Sequence, residues 1–301
     1  MVRFGLCCIF IEAPIKFRVI TAKTLSKYSR PEQLSHLSEI CLKNVQNLEK
    51  AVMTVHAMGI GAFRILSPLF PRYTHPDVGY TLEQLPDQKE IERLFRRINR
   101  FRKRHDIRLS FHPDQFVVLN SPDEGIVEKS IAEIEYQALL ARLVGAEVIN
   151  IHGGGAYGDK NQSTERFIRN FKRLSLAARK RLTLENDDVS YTPSDLLPVC
   201  SKLKIPLVYD IHHHRCNPDM MSIEEATQAA VATWQPRNQE PYFHISSPRN
   251  GWGDGDPKPH ADYIDSSDIP ESWRTGFSFT VDVEAKAKEK AVTELIKAWN
   301  N

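Results

Sequence analysis

Cysteine is scarce in this chain. The five residues (Cys7, Cys8, Cys41, Cys200 and Cys216) among 301 are odd in number and show no CxxC spacing, which excludes a disulfide framework and a thiolate zinc site and fits a reducing, cytoplasmic setting. An excess of one charge is also lacking: 40 basic and 38 acidic residues leave a formal charge of +2. No global polycation announces a nucleic-acid partner, so any DNA site must be a local patch. Long hydrophobic runs are absent. The opening "MVRFGLCCIFIEAP" soon meets Glu12 and Lys16, too short and too quickly charged for a signal segment or a spanning helix. It reads as a first strand, and no membrane association is expected. Nucleotide-binding turns are missing too, since "GLCCIF" lacks the glycine-rich turn of a dinucleotide fold and "GGG" at 153–155 lacks a following Lys-Ser/Thr. No nucleotide cofactor is expected; the glycines instead let backbone pass close to a metal or phosphate.

What is present is one alternation carried through the chain. With 41% hydrophobic residues it can bury a large core unaided. Runs rich in β-branched and aromatic residues recur as "VRFGLCCIF", "GAFRILSP", "IRLSFHPDQF", "EVINIHGGG", "RLTLENDD", "IPLVYDIHHH", "PYFHISSP" and "GFSFTVDVEAK", eight candidate strands. Between most of them lie segments with apolar residues at helical spacing, as in Leu34, Leu37, Cys41, Val45, Leu48, Val52 and Val55. Asp87 with Glu90, Ser121 with Glu124, Ser222 with Glu225, and Thr192 before Pro193 read as helix starts. No Gly/Ser or Pro-rich linker intervenes, so residues 1–301 are read as one domain, a single (β/α)8 TIM barrel. A doubly wound open sheet is the rival. The irregular stretch 247–272 is expected as a long loop after strand seven. The basic run "FRRINRFRKRH" (95–105) is expected on the solvated outer face of a covering helix.

In such a barrel the chemistry comes from the C-terminal strand ends. Here those ends read His112, His152, Glu185, Asp210, His244 and Glu284. One histidine at a strand end is more often structural, but six metal-ligand types in phase are hard to obtain by composition. Imidazole and carboxylate without thiolate suit Zn²⁺, Mn²⁺ or Fe²⁺, and several carboxylates allow a multinuclear site fit for phosphodiester hydrolysis. In "VYDIHHHRCNPD" extended alternation puts Asp210 and His212 on one side, while a turn after the strand could bring His213 or His214 back.

The series "LSFHPDQF", "INIHGGGAYGDK", "LTLENDD", "YDIHHHRCNP", "HISSP", "PHADY" and "VEAKAKE", with "AKTLSKYSR" and "THPDVGY" before it, resembles the motif series of the UV damage endonucleases from Arg3 to Lys290. The resemblance implies a barrel related to that of endonuclease IV and about three divalent ions, manganese favoured. It also implies double-stranded DNA as partner, incised 5′ of UV photoproducts (pyrimidine dimers and 6-4 photoproducts) and at abasic sites, by a monomer. On that resemblance His112, His152 and Glu185 would hold one ion; Glu185, Asp210, His244 and Glu284 the second; His213 and His260 the third. His75 would line the site and share the catalysis with Glu185. Gln115 and Phe116 match the pair that probes the damaged duplex, an aromatic ring replacing lost base stacking. Two positions depart from the family series. Tyr242 stands where the family often has lysine, placed here with the catalytic group, and Leu6 stands where it has a tyrosine, placed with the lesion contacts. Outside this family, a metal-dependent sugar isomerase or epimerase on the same barrel and a non-catalytic lesion-binding protein are the alternatives.

Overall fold

The computed structural model describes residues 2–253, 255–274 and 276–300. Eight strands, β1 (Val2–Cys7), β2 (Ala62–Ile65), β3 (Arg108–Phe111), β4 (Val148–His152), β5 (Leu182–Glu185), β6 (Leu207–Asp210), β7 (Tyr242–Ile245) and β8 (Phe279–Val283), close into a barrel in sequence order. All pairs are parallel, and β8 closes on β1 with Val2 beside Phe279 and Leu6 beside Val283. Nearly every strand residue is buried, because parallel strands are covered on both faces. This is the expected TIM barrel, and the open sheet is excluded.

The main apolar core lies between the strands and the surrounding helices. Helix Arg30–Ala57 shows why: Leu37, Cys41, Val45, Leu48, Val52 and Val55 form one buried stripe, with Leu34 at its half-buried edge. Inside the barrel the lining is largely polar. Arg64, Ser110, Asn150, Thr183, Glu185, Tyr242, His244, Thr280 and Asp282 are all buried, with a small apolar cluster of Val148, Val208, Trp234 and Tyr242 apart from the main core. Gly5 on β1 makes room for this interior, since a Cβ there would collide with Asp282 Oδ1.

Thr192 and Ser222 cap their helices as expected, each in a reciprocal capping box. Two starts differ. Asp87 stands at the N-cap of helix Gln88–Arg104, but its carboxylate accepts from Ser38 Oγ at 2.8 Å instead of capping. The helix expected at Ser121 begins after Asp123, whose Oδ1 accepts from the Ile126 N–H at 3.1 Å; a carboxylate is the stronger acceptor. Helix Gln88–Arg104 buries Ile91, Leu94, Phe95 and Ile98 and turns Arg96, Arg97, Arg100, Lys103 and Arg104 outward, so most of the basic run is a solvated face, while Arg102 is half-buried on Glu147 at 3.0 Å.

Among its described residues the segment after β7 carries two short 3-10 turns, Ser266–Asp268 and Glu271–Arg274, and no helix longer than these. It is nonetheless fastened. Asp268 accepts from Ser247 Oγ, from Trp252 Nε1 at 2.7 Å and from Arg215 Nη1 at 3.1 Å, and Pro248 bridges to His260. Among the described residues no helix is long and apolar enough to cross a membrane.

Candidate metal centre and its cleft

Register brings the strand ends together. His152 on β4 stands beside Glu185 on β5, and Asp210 on β6 beside His244 on β7. Glu185 is fully buried and central: Oε2 lies 2.9 Å from His112 Nε2 and 4.0 Å from His152 Nε2, and Oε1 lies 2.9 Å from His244 Nδ1 and 3.4 Å from His213 Nδ1. Asn150 Nδ2 donates to Oε2 at 2.5 Å and fixes the carboxylate.

The histidine triplet is resolved by a helix cap. Asp210 ends β6 and at once caps helix Ile211–Cys216, its Oδ1 accepting from the His213 N–H at 2.8 Å. One helical turn therefore carries His213 back over Asp210, with Nδ1 3.5 Å from Asp210 Oδ2. His214 turns away to Tyr209 Oη and Asp219, and His212 packs against Trp252 and His260.

Among the described residues two groups of ligand atoms lie close enough to share an ion: His112, His152 and Glu185, and Glu185, Asp210 and His213, each within 4.8 Å. The donor set fits a divalent cation. Asp210 Oδ2 and His152 Nδ1 are buried without a hydrogen-bond partner, a costly state for polar atoms. The His112 ring uses Nδ1 on the Pro113 carbonyl at 2.9 Å, which leaves Nε2 toward Glu185, where a lone pair faces a carboxylate unless a cation or proton lies between.

Electrostatics agree. Burial alone would raise Glu185, but the imidazoles of His244, His152 and His112 hold it well below the usual carboxylate range. Burial lowers His152, keeping its ring neutral and able to ligate. Burial opposes charge on His213 as well, yet Asp210 and Glu185 raise it well above the ordinary histidine value.

The remaining predicted ligands are near but differently engaged. Glu284 Oε1 and His244 Nε2 both face Arg64, at 2.6 and 2.8 Å, and His260 Nδ1 stands 3.8 Å from Glu284 Oε2. Arginine has no acceptor, so this contact uses the lone pair of a neutral His244, whose Nδ1–H then donates to Glu185. Burial disfavours the charged ring and Glu185 favours it, leaving the His244 pKa raised; the Arg64 contact is made above that value.

Above the centre opens a cleft of about 1110 Å³ lined by Arg64, His75, His112, Gln115, Phe116, His152, Glu185, His213 and Glu284. His75 Nδ1 accepts from the Asp77 N–H at 3.2 Å, so Nε2 carries the hydrogen. Gln115 is exposed and Phe116 is 76% exposed, so the pair is no part of the core. Tyr157 and Val189 add exposed apolar surface to the same rim.

Two placements depart from expectation. Leu6 is fully buried on the outward side of β1, the side of Phe4, which meets Trp299 edge-on; strand alternation takes it away from the cleft, so it is no lesion contact. Tyr242 does not line the cleft either. It is buried one layer deeper, donating to Asp282 Oδ1 at 3.1 Å and Ser110 Oγ at 3.3 Å beneath the Arg108 guanidinium, so it touches no reacting atom. The glycines at 153–155 pack against protein groups: Asn120 Nδ2 donates to the Gly153 and Gly155 carbonyls, and a Cβ at Gly154 would meet Asn120.

Three functional residues escaped the reading of strand ends. Arg64 is a lone charge in an apolar strand. Asp282 lies one residue pair below Glu284. Asn186 clamps Asp210, donating to its carbonyl at 2.8 Å and accepting from its N–H at 3.0 Å. A charged residue inside a buried strand was the available signal for Arg64 and Asp282.

Residues 2–301 match the family model described as UV-endonuclease UvdE. A UV DNA damage endonuclease of Bacillus cereus (strain G9842) is 35% identical over 295 residues, covering 94% of this chain and 89% of the relative. One of Bacillus velezensis is 33% identical over 309 residues, covering 98% and 93%. The crystal structure of SacUVDE superposes with a TM-score of 0.86 at 27% identity, covering 100% of this chain and 98% of that one. Endonuclease IV from Thermus thermophilus (TM-score 0.59, 15% identity, covering 99% of this chain and 98% of that one) shares the fold. So does D-psicose 3-epimerase from Clostridium cellulolyticum H10 (0.55, 13%, covering 99% and 96%).

Proposed function

Because the chain belongs to the UV-endonuclease UvdE family and is thus a DNA repair endonuclease acting on phosphodiester bonds, we propose that it incises duplex DNA immediately 5′ of UV photoproducts, and at abasic sites, in a divalent-metal-dependent reaction. The observation that carries this reading is Glu185 at the cleft floor, shared by two compact ligand groups with unpartnered buried atoms.

His112 and His152 on one side of Glu185, and Asp210 and His213 on the other, would hold the ions; Mn²⁺ is favoured, with Zn²⁺ or Fe²⁺ suiting the same donors. Bound there, divalent ions lower the pKa of water and neutralise phosphate charge. The protein's own groups do the rest. Asn150 and the Asn186 clamp hold the carboxylates in place. His75 offers an Nε2–H at the cleft wall, suited to a phosphate oxygen or the departing oxygen. Phe116 and Gln115 at the mouth are suited to stack on and hydrogen-bond the bases of a locally unstacked duplex.

The isomerase alternative would need no exposed aromatic and amide pair at its mouth. A non-catalytic protein would need Tyr242, the departure nearest the ligands, to disable the centre, and Tyr242 lies below it, bonded to Asp282. The test is incision mapping on an end-labelled duplex bearing one cyclobutane dimer. A cut at the phosphodiester 5′ to the dimer is expected, and cleavage spread equally over undamaged duplex would overturn the proposal.

A further inference from the structure

We propose that Arg64 is a built-in cation of the reaction centre. It occupies the half formed by His244 and Glu284, so that this chain holds two divalent ions where the family resemblance implies about three. The inference rests on the metal-dependent reading above and concerns how many ions that centre takes.

Arg64 projects from β2 into the barrel and is 7% exposed. Its Nε donates to Asp282 Oδ2 at 3.0 Å, Nη1 to Glu284 Oε1 at 2.6 Å and Nη2 to His244 Nε2 at 2.8 Å. Each of these acceptors gives up a lone pair to the guanidinium. His244 is then spent, because its other nitrogen donates to Glu185. A cation ligated by His244 and Glu284 would stand within a few ångströms of a guanidinium that has no proton to lose and that three acceptors hold in place. Two independent features set this half apart from the other. Among the described residues the ligand groups whose atoms lie within 4.8 Å of one another are His112, His152 and Glu185, and Glu185, Asp210 and His213; neither includes His244, Glu284 or His260. The orphaned acceptor Asp210 Oδ2 and the orphaned His152 Nδ1 also belong to those two groups.

Charge balance points the same way. Glu185, Asp210, Asp282 and Glu284 face the centre. Two divalent ions with one guanidinium leave a single surplus positive charge, the complement of one phosphodiester. A third ion would leave three. Arg64 also lines the cleft. Of the five N–H groups of a guanidinium, three are engaged, and the remaining two are available to the non-bridging oxygens of a phosphate, a role for which arginine is well shaped.

The test counts metal. Purified full-length protein, stripped with chelator, reloaded with Mn²⁺ and desalted, is expected to retain two ions per chain by elemental analysis. Arg64→Ser should retain three, and Arg64→Lys two. Should Arg64→Ser fail to fold, Glu284→Gln decides: holding arginine and not metal, it should leave the parent count of two unchanged. Three ions on the parent, no gain in folded Arg64→Ser, or loss of one ion in Glu284→Gln would each overturn the proposal. A parent that binds no Mn²⁺ and nicks damaged DNA in chelator would instead overturn the metal-dependent reading itself.

Discussion

The two mouths of the barrel are both lined with charge, but only one of them balances it. At the N-terminal mouth Arg3 bonds Glu240 at 3.2 Å and Asp106 at 2.8 Å, Arg108 bonds Glu147 at 3.2 Å and Thr280 Oγ1 at 2.8 Å, and Thr280 in turn donates to Glu240. Among the described residues, the buried atoms left over there include Arg108 Nη2, Arg237 Nη1 and Gln239 Oε1, none of them an imidazole nitrogen or a carboxylate oxygen. At the C-terminal mouth His152 Nδ1, His212 Nδ1 and Asp210 Oδ2 are buried without partners, and His112 Nε2 stands 2.9 Å from the Glu185 carboxylate. The first arrangement pairs its carboxylates with guanidinium groups of the protein itself. The second is complete only when something arrives from outside, and that incompleteness marks the site.

The largest effect expected from this contrast is at Glu185. Glu185→Gln should lower nicking of irradiated plasmid by roughly 10³-fold, since several kcal/mol of transition-state stabilisation depend on the ions it shares. The chelated protein should also unfold at lower urea, because His112, His244 and Asn150 lose the charged partner that they hold in the metal-free fold. A folded variant that nicks at the parent rate would break the contrast.

At the opposite mouth Glu240→Gln should do the reverse. It should cost on the order of 2 kcal/mol in urea unfolding, less than a fully buried pair because Glu240 is 24% exposed, with the nicking rate per folded molecule unchanged. Burial would raise the Glu240 pKa, but hydrogen bonds from Arg3 and Thr280 hold it below the usual value. Its contribution is therefore fully present above the unfolded value of about 4.3 and is lost as pH falls through the lower folded value. A deficit in Glu240→Gln that persists at the acid end would show that shape, not charge, matters there.

Much of this was legible in sequence because strand ends are local signals. Alternation located all eight strands, and six ligand types in phase pointed to the mouth where the structure gathers them. The histidine triplet could not be resolved that way. Its answer lies in Asp210 acting both as strand end and helix cap, a coincidence that extended alternation does not anticipate. Leu6 was misplaced because a motif position says nothing of which face of β1 is inward, which Gly5 and Asp282 decide. Arg64 went unseen for a plainer reason: its partners His244 and Asp282 are 180 and 218 residues away, and nothing near it in the chain explains a buried cation.

Phe116→Ala sharpens the contrast within the functional mouth, separating recognition from chemistry. A ring that is 76% exposed contributes little to folding, so the unfolding midpoint should stay put. The affinity ratio for damaged over intact duplex should fall by roughly tenfold, the size of a stacking interaction of about 1–3 kcal/mol. An unchanged ratio in a binding titration would remove Phe116 from lesion recognition. The smallest effect is expected between the mouths. Tyr242→Phe removes two hydrogen bonds in the middle layer and should cost about 1 kcal/mol of stability in urea unfolding with nicking retained; loss of nicking with metals still bound would give the hydroxyl a role in the reaction.

The central claim, that the C-terminal mouth is a metal centre for incising damaged DNA, is tested most directly by nicking of supercoiled plasmid, irradiated and unirradiated, by chelated protein before and after Mn²⁺ is restored. The account predicts no nicking of either plasmid in chelator and rapid nicking of the irradiated one alone on adding Mn²⁺. Undiminished nicking of irradiated plasmid in chelator, by protein shown to be metal-free, would contradict it.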